Sequence, residues 1–170
     1  QQAVSEAKVA YAQNEAGIRA MGEQAWTRYQ ATRDDLSKES APFLVQRQAL
    51  GTAKALLQSN SEASDYGLLY SWNKMLDPNS SVREGEFANA QNLAGVPDIV
   101  VTALNNLRGG QRLTPEKRAD IYKQMNDIFK QGVSEQTERN GRYAGQARAF
   151  DVPDDAPFSL LIDGEDSDVE

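Results

Sequence analysis

Apolar residues return every seven positions at the start of the chain: Val4, Tyr11, Ile18 and Ala25. Ala7 and Met21 follow members of that series by three. This spacing predicts one long helix over the first 36 residues. Its narrow a/d-like seam, interrupted at Asn14, calls for a partner helix. Gly17 and Gly22 each weaken such a helix by about 1 kcal/mol relative to alanine and suit close helix crossings.

Ser40 followed by Pro42 reads as a new helix start, with proline at the first helical position. Ala49, Ala53, Leu56 and Leu57 form the stripe of that helix. Leu68, Leu69, Trp72, Met75 and Leu76 predict a helix over 62–76, and Pro78 ends it by disfavouring helical geometry at Asp77. Ser81-x-x-Glu84 opens the next helix as a capping box, in which the hydroxyl satisfies an orphan amide and the carboxylate reaches back. Gly95-Val96-Pro97 breaks the chain. Val96, Ile99, Val100, Ala103, Leu104 and Leu107 then follow helical spacing up to Gly109-Gly110. Thr114 and Pro115 start a helix with an apolar face of Ile121, Tyr122, Met125, Ile128 and Phe129, and Gly132 reads as its C-cap. A polar helix covers 134–148. No strand pattern competes. The expected architecture is all-α, with about six helices. It comprises a long N-terminal helix over 1–38, a helical bundle over 39–150, and a disordered acidic tail over 151–170.

Composition narrows the chemistry. Of 170 residues, 39% are hydrophobic, and mean hydropathy is −0.64, which suits an extended or assembly-dependent helical protein. Cysteine and histidine are absent. Disulfides, thiolate nucleophiles, Cys/His zinc sites and a Ser-His-Asp triad are therefore excluded. No apolar run reaches the roughly 18 residues of a transmembrane helix. The first residue is Gln1 rather than Met, which reads as a processed product or a fragment.

Charge is unevenly spread. Residues 151–170 hold eight acids and no base, so the net charge of −7 leaves +1 for residues 1–150. Between Arg108 and Arg148 nine bases face five acids, with Tyr122 and Tyr143 interleaved. The plain reading is a solvated helix face and a solvated tail; the sharper one is a weak DNA contact through 108–148 and a tail that docks on a basic surface. Phe158, Leu160, Leu161 and Ile162 form an apolar plug within the tail.

The run Arg83, Glu84, Gly85, Glu86, Phe87 carries the other candidate chemistry. Glu84 and Phe87 stand at the spacing of the Glu-Ser-x-Phe helix start of lytic transglycosylases, but Gly85 replaces the serine and Asn89 the proline. A glycosidase acid needs a raised pKa in an apolar pocket, whereas a capping carboxylate beside Arg83 would have its pKa lowered. Helix capping plus a packing glycine is the better reading. Gly109-Gly110 lacks the Gly-Lys-Ser/Thr of a phosphate loop, and the tail lacks the calcium-loop pattern. No catalytic residue, cofactor or metal is expected.

The block Leu76-Asp77-Pro78-x-Ser80-x-Val82-Arg83-Glu84-Gly85-Glu86-Phe87-Ala88, followed by Gln111-Arg112-Leu113-Thr114-Pro115-Glu116, resembles a segment of tailed-bacteriophage virion proteins. These are the internal, DNA-ejection or DNA-transfer proteins and some tape-measure-like proteins. The resemblance spans roughly residues 65–135. It implies a non-enzymatic structural component of the virion, delivered into the host cell envelope on infection. Its partners would be copies of itself and other virion proteins, portal or ejection proteins among them. Asp77, Pro78, Ser81, Arg83, Glu84, Gly85, Glu86 and Phe87 are then interaction and fold residues. Arg83 would pair with Asp77 or a partner's carboxylate. The alternatives are a peptidoglycan-cutting domain using Glu84 and a helical adaptor or scaffolding module that binds through its acidic tail.

Overall fold

The computed structural model describes residues 23–83, 87 and 96–149. Among them the structure is all-helical, with four helices: α1 (Glu23–Leu57), α2 (Glu62–Leu76), α3 (Asp98–Arg108) and α4 (Pro115–Arg148). The seam before Glu23, the helix expected after Glu84 and the acidic tail lie outside the described residues.

Two expected helix breaks are absent. α1 runs through Pro42, although a proline inside a helix removes one main-chain donor and crowds a carbonyl, at a cost of about 3 kcal/mol. Burial outweighs that cost. Tyr29, Leu36, Phe43 and Leu50, spaced by seven on both sides of the proline, are all buried. α4 likewise continues through Gly132, which is no C-cap. A Cβ there would lie 3.1 Å from Gln46 Oε1 and 3.6 Å from the Phe43 ring, so the glycine lets α1 approach closely. Two expected core residues are exposed: Leu76 at 38% and Ile99 at 49%.

The other boundaries follow their local chemistry. Ser61 and Ser64 cap α2 reciprocally, each hydroxyl accepting the other's amide at 3.0–3.1 Å. The Asp77 amide closes α2 on the Asn73 carbonyl. After α3 the chain turns at Gly110, whose φ of 85° lies in the left-handed region that glycine adopts without strain. Thr114 caps α4 by accepting the Lys117 amide at 3.2 Å.

The chain divides into two units. One, Ala41–Ser134, holds the larger core. α2 packs on α3, with Leu68, Leu69, Trp72 and Met75 of α2 and Val100 and Leu104 of α3 buried; Ile121 and Met125 of α4 are buried as well. Phe43 of α1 stacks on Phe129 of α4, with ring centroids 5.4 Å apart. Gln46 donates to the Met75 carbonyl at the end of α2.

The other unit joins Gln1–Ser40 with Glu135–Glu170. Its described part is an antiparallel helix pair, formed by the start of α1 and the end of α4. Tyr29, Leu36, Tyr143 and Ala147 form the core, flanked by Trp26 and Ala144. A polar layer interrupts it. The fully buried Gln136 amide donates to Ser40 Oγ and Asn140 Oδ1, both at 2.8 Å, and accepts from Arg139 at 2.6 Å. A satisfied polar layer of this kind fixes helix register, because any slip strands a buried amide.

The Tyr143 hydroxyl is pushed above its ordinary range, first by burial, then by its hydrogen bond to Glu39 and the charges of Glu39 and Asp35. The folded state therefore holds this proton more tightly than the unfolded chain. Stability is full below about pH 10, the ordinary tyrosine value, and falls as pH rises through the elevated one. Urea unfolding between pH 8 and pH 11 should show that alkaline loss, and Tyr143→Phe should flatten it. An equal loss in the variant would assign it to other groups.

Candidate functional site

The two motif segments lie in the unit Ala41–Ser134, and the described part of the first is bound closely by α2 and α3. Asp77 Oδ1 accepts the Asn79 amide at 3.2 Å, which shapes the turn at Pro78. The Lys74 ammonium donates to the Ser80 carbonyl and sits 5.8 Å from the Tyr70 ring centroid. The Tyr70 hydroxyl donates to the Val82 carbonyl at 3.3 Å. Phe87 is buried against the Tyr70 ring edge, and Arg108 donates to the Phe87 carbonyl at 3.0 Å. Ser81 and Arg83 are exposed, and Pro78 is half-buried. Glu84, Gly85 and Glu86 lie outside the described residues, so the Ser81–Glu84 capping box and the transglycosylase-like glutamate have no geometry here.

The second segment leads to a group that the sequence reading did not single out. Asp65, in the first turn of α2, is completely buried. Its Oδ1 accepts from Arg118 Nη1, and its Oδ2 accepts from Arg112 Nε at 2.5 Å and from the Leu113 amide at 3.4 Å. Arg118 is 5% exposed. Its Nη2 donates to the Leu56 and Ser59 carbonyls at 2.6 and 2.7 Å, and its Nη1 also reaches Ser64 Oγ at 3.3 Å. Arg112 Nη2 reaches Asn60 at 3.4 Å. One carboxylate thus ties together the end of α1, the start of α2, the loop before α4 and the first turn of α4. The positive guanidinium also suits the carbonyl-rich end of α1.

A signal for this node was present. Asp65 continues the stripe of Leu68, Leu69 and Trp72 at offsets of three, four and seven, and Arg118 continues the stripe of Ile121, Tyr122 and Met125 in the same way. A charge in register with an apolar stripe is either exposed by a helix end or paired in the core. Here the two pair with each other.

Chemically, the node holds and does not react. Both carboxylate oxygens already accept from arginine, and the group is closed to solvent, which leaves no substrate position beside a proton acceptor. Burying such ions costs several kcal/mol of desolvation, offset here by three donors on the two carboxylate oxygens, two of them charged. Two guanidiniums share one carboxylate, so the node retains one positive charge.

Clefts lined by described residues open on this unit. One, of about 480 Å³, runs between α3 and the start of α4 and is lined by Ile99, Asn106, Gln111, Arg112, Thr114 and Lys117, among others. The second, of about 460 Å³, lies between α1 and α2 with Leu56, Gly67, Tyr70 and Lys74 among its walls. Among the described residues there is no cluster of three or more side chains able to hold a metal ion, and no helix is long and apolar enough to cross a membrane. No family model, no curated protein and no solved structure matches the chain.

Breaking the node from one side should be severe. Asp65→Leu or Arg118→Met alone should cost about 3–5 kcal/mol, because each leaves a buried partner uncompensated. The double variant should cost less than either single one, a coupling that urea unfolding of all four forms measures. Additive losses would show that the two side chains act independently.

Proposed function

We propose that this chain is a non-enzymatic structural component of a tailed-bacteriophage particle, an internal protein of the ejection class. It assembles with copies of itself and with other virion proteins near the portal, and helps deliver DNA across the host cell envelope. The observation that carries this reading is the pair of motif segments, Leu76–Ala88 and Gln111–Glu116, with their resemblance to internal virion proteins.

The way the chain uses those segments supports it. Asp77 shapes a turn, Phe87 fills the core beside Tyr70, and Arg112 and Leu113 bind the buried Asp65. These are fold-building tasks, which suit a motif kept for assembly rather than catalysis. α4 also carries Lys117, Lys123 and Lys130 on exposed positions, a base for weak, salt-dependent contact with packaged DNA.

Quantitative mass spectrometry of purified particles tests the assignment. The chain should be present in filled particles and depleted after triggered DNA release. Retention in emptied particles would make it a fixed portal or tail component, and absence from both would overturn the virion reading.

A further inference from the structure

We propose that the cleft between α3 and the start of α4 receives the acidic C-terminal segment, residues 151–170, of a second copy of this chain. This deepens the assembly reading above and rests on it for its direction, by naming one contact through which copies would join.

The cleft has the charge for it. The Asp65 node keeps one surplus positive charge, and its solvent-facing member is Arg112, whose side chain is 43% exposed and lines the cleft. Lys117 adds a second positive charge, and among the described residues no acidic side chain lines the wall. Nearby Glu116 offsets part of this charge: hydrogen bonds from its own backbone amide and then from the Thr114 hydroxyl hold its carboxyl below the usual carboxylate range and keep it ionised, but its hydrogen bonds tie it to the start of α4. The amide ends of α4 are also taken by the chain itself. Pro115 has none, Glu116 uses its own, and the Lys117 amide goes to Thr114. The attraction therefore comes from the two side chains, not from the helix terminus.

The cleft also has an apolar wall. Ile99 is the most exposed large hydrophobic side chain among the described residues, although its place on the α3 stripe marks it for a core. It lies on the cleft with Ala103 and Leu113. The amides of Asn106 and Gln111 add hydrogen-bonding groups to the same wall. A volume of about 480 Å³ is in the range of pockets that take up a few side chains. The complementary ligand is a peptide in which a short block of bulky apolar residues is flanked by carboxylates. Residues 151–170 are such a peptide, with eight acids, no base, and Phe158, Leu160, Leu161 and Ile162 among them. A tail of one copy in the cleft of the next is a heterologous, head-to-tail contact, the class that closes rings or extends filaments.

The test uses the full-length chain in two forms. In the receptor form, the eight acids of 151–170 are changed to their amides, so that no resident tail competes. A labelled peptide of native sequence 151–170 is titrated into it and followed by fluorescence anisotropy. Saturable binding is expected, weakened about tenfold or more by Lys117→Glu and by Ile99→Asp, both exposed positions whose circular dichroism should stay helical. An unlabelled peptide with the acids amidated should not compete. The unmodified chain should self-associate by sedimentation, and the amidated-tail form should not. Absence of saturable binding, or equal binding by the Lys117→Glu and Ile99→Asp variants, overturns the cleft assignment. Equal competition by a poly-glutamate peptide overturns the choice of this tail. Binding by a native chain that stays monomeric overturns the second copy. Each result is read on the isolated protein, so its failure leaves the particle assignment to the mass-spectrometric test.

Discussion

A carboxylate buried without contact to water needs donors on both oxygens and an opposite charge beside it, and Asp65 is the group on which the larger unit depends. Its two oxygens take two arginines and one backbone amide, and the inner arginine goes on to bind two carbonyls at the end of α1. Four chain segments converge on one charge. An apolar residue of similar size would fill the same space, but it would not dictate which helix end meets which loop. The ionic node exchanges some stability for a defined arrangement, since any other packing leaves an ion buried alone.

The helix pair of the other unit applies the same logic with neutral groups. Gln136 is buried among apolar residues and fully satisfied by Ser40, Asn140 and Arg139. Sliding α1 along α4 would strand that amide. Each unit therefore has one internal polar device that selects a single alignment of helices. The apolar stripes alone would not, because Tyr29, Leu36, Phe43 and Leu50 repeat every seven residues and are nearly interchangeable under a one-heptad slip.

Much of the fold was legible. The helical class, the bounds of α2, the Thr114-Pro115 start of α4 and the glycine stop after α3 follow from local chemistry that the sequence spells out. The errors have physical causes. Pro42 and Gly132 each disfavour helix locally and so look like boundaries in the sequence, yet tertiary burial of Phe43 against Phe129 holds both helices continuous. Ile99 and Leu76 fit a helical period without being buried, since periodicity reports a face and not its neighbour. The buried node was missed for a related reason. Asp65 sits near a helix start, where an acid needs no further explanation, and only its alignment with Leu68, Leu69 and Trp72 marks it as internal. The motif around Phe87 was found from the sequence, and the structure gives its described members fold-building contacts with Tyr70, Lys74 and Arg108.

The central claim is that one buried carboxylate organises the whole Ala41–Ser134 unit. Amide hydrogen exchange, compared between the native chain and Asp65→Asn, tests it most directly. The account predicts that protection falls together in α2, α3 and the first half of α4, because these elements open as one when the node is weakened. A loss confined to the amides around residues 61–66 and 111–118, with α3 and the centre of α2 unchanged, would contradict it.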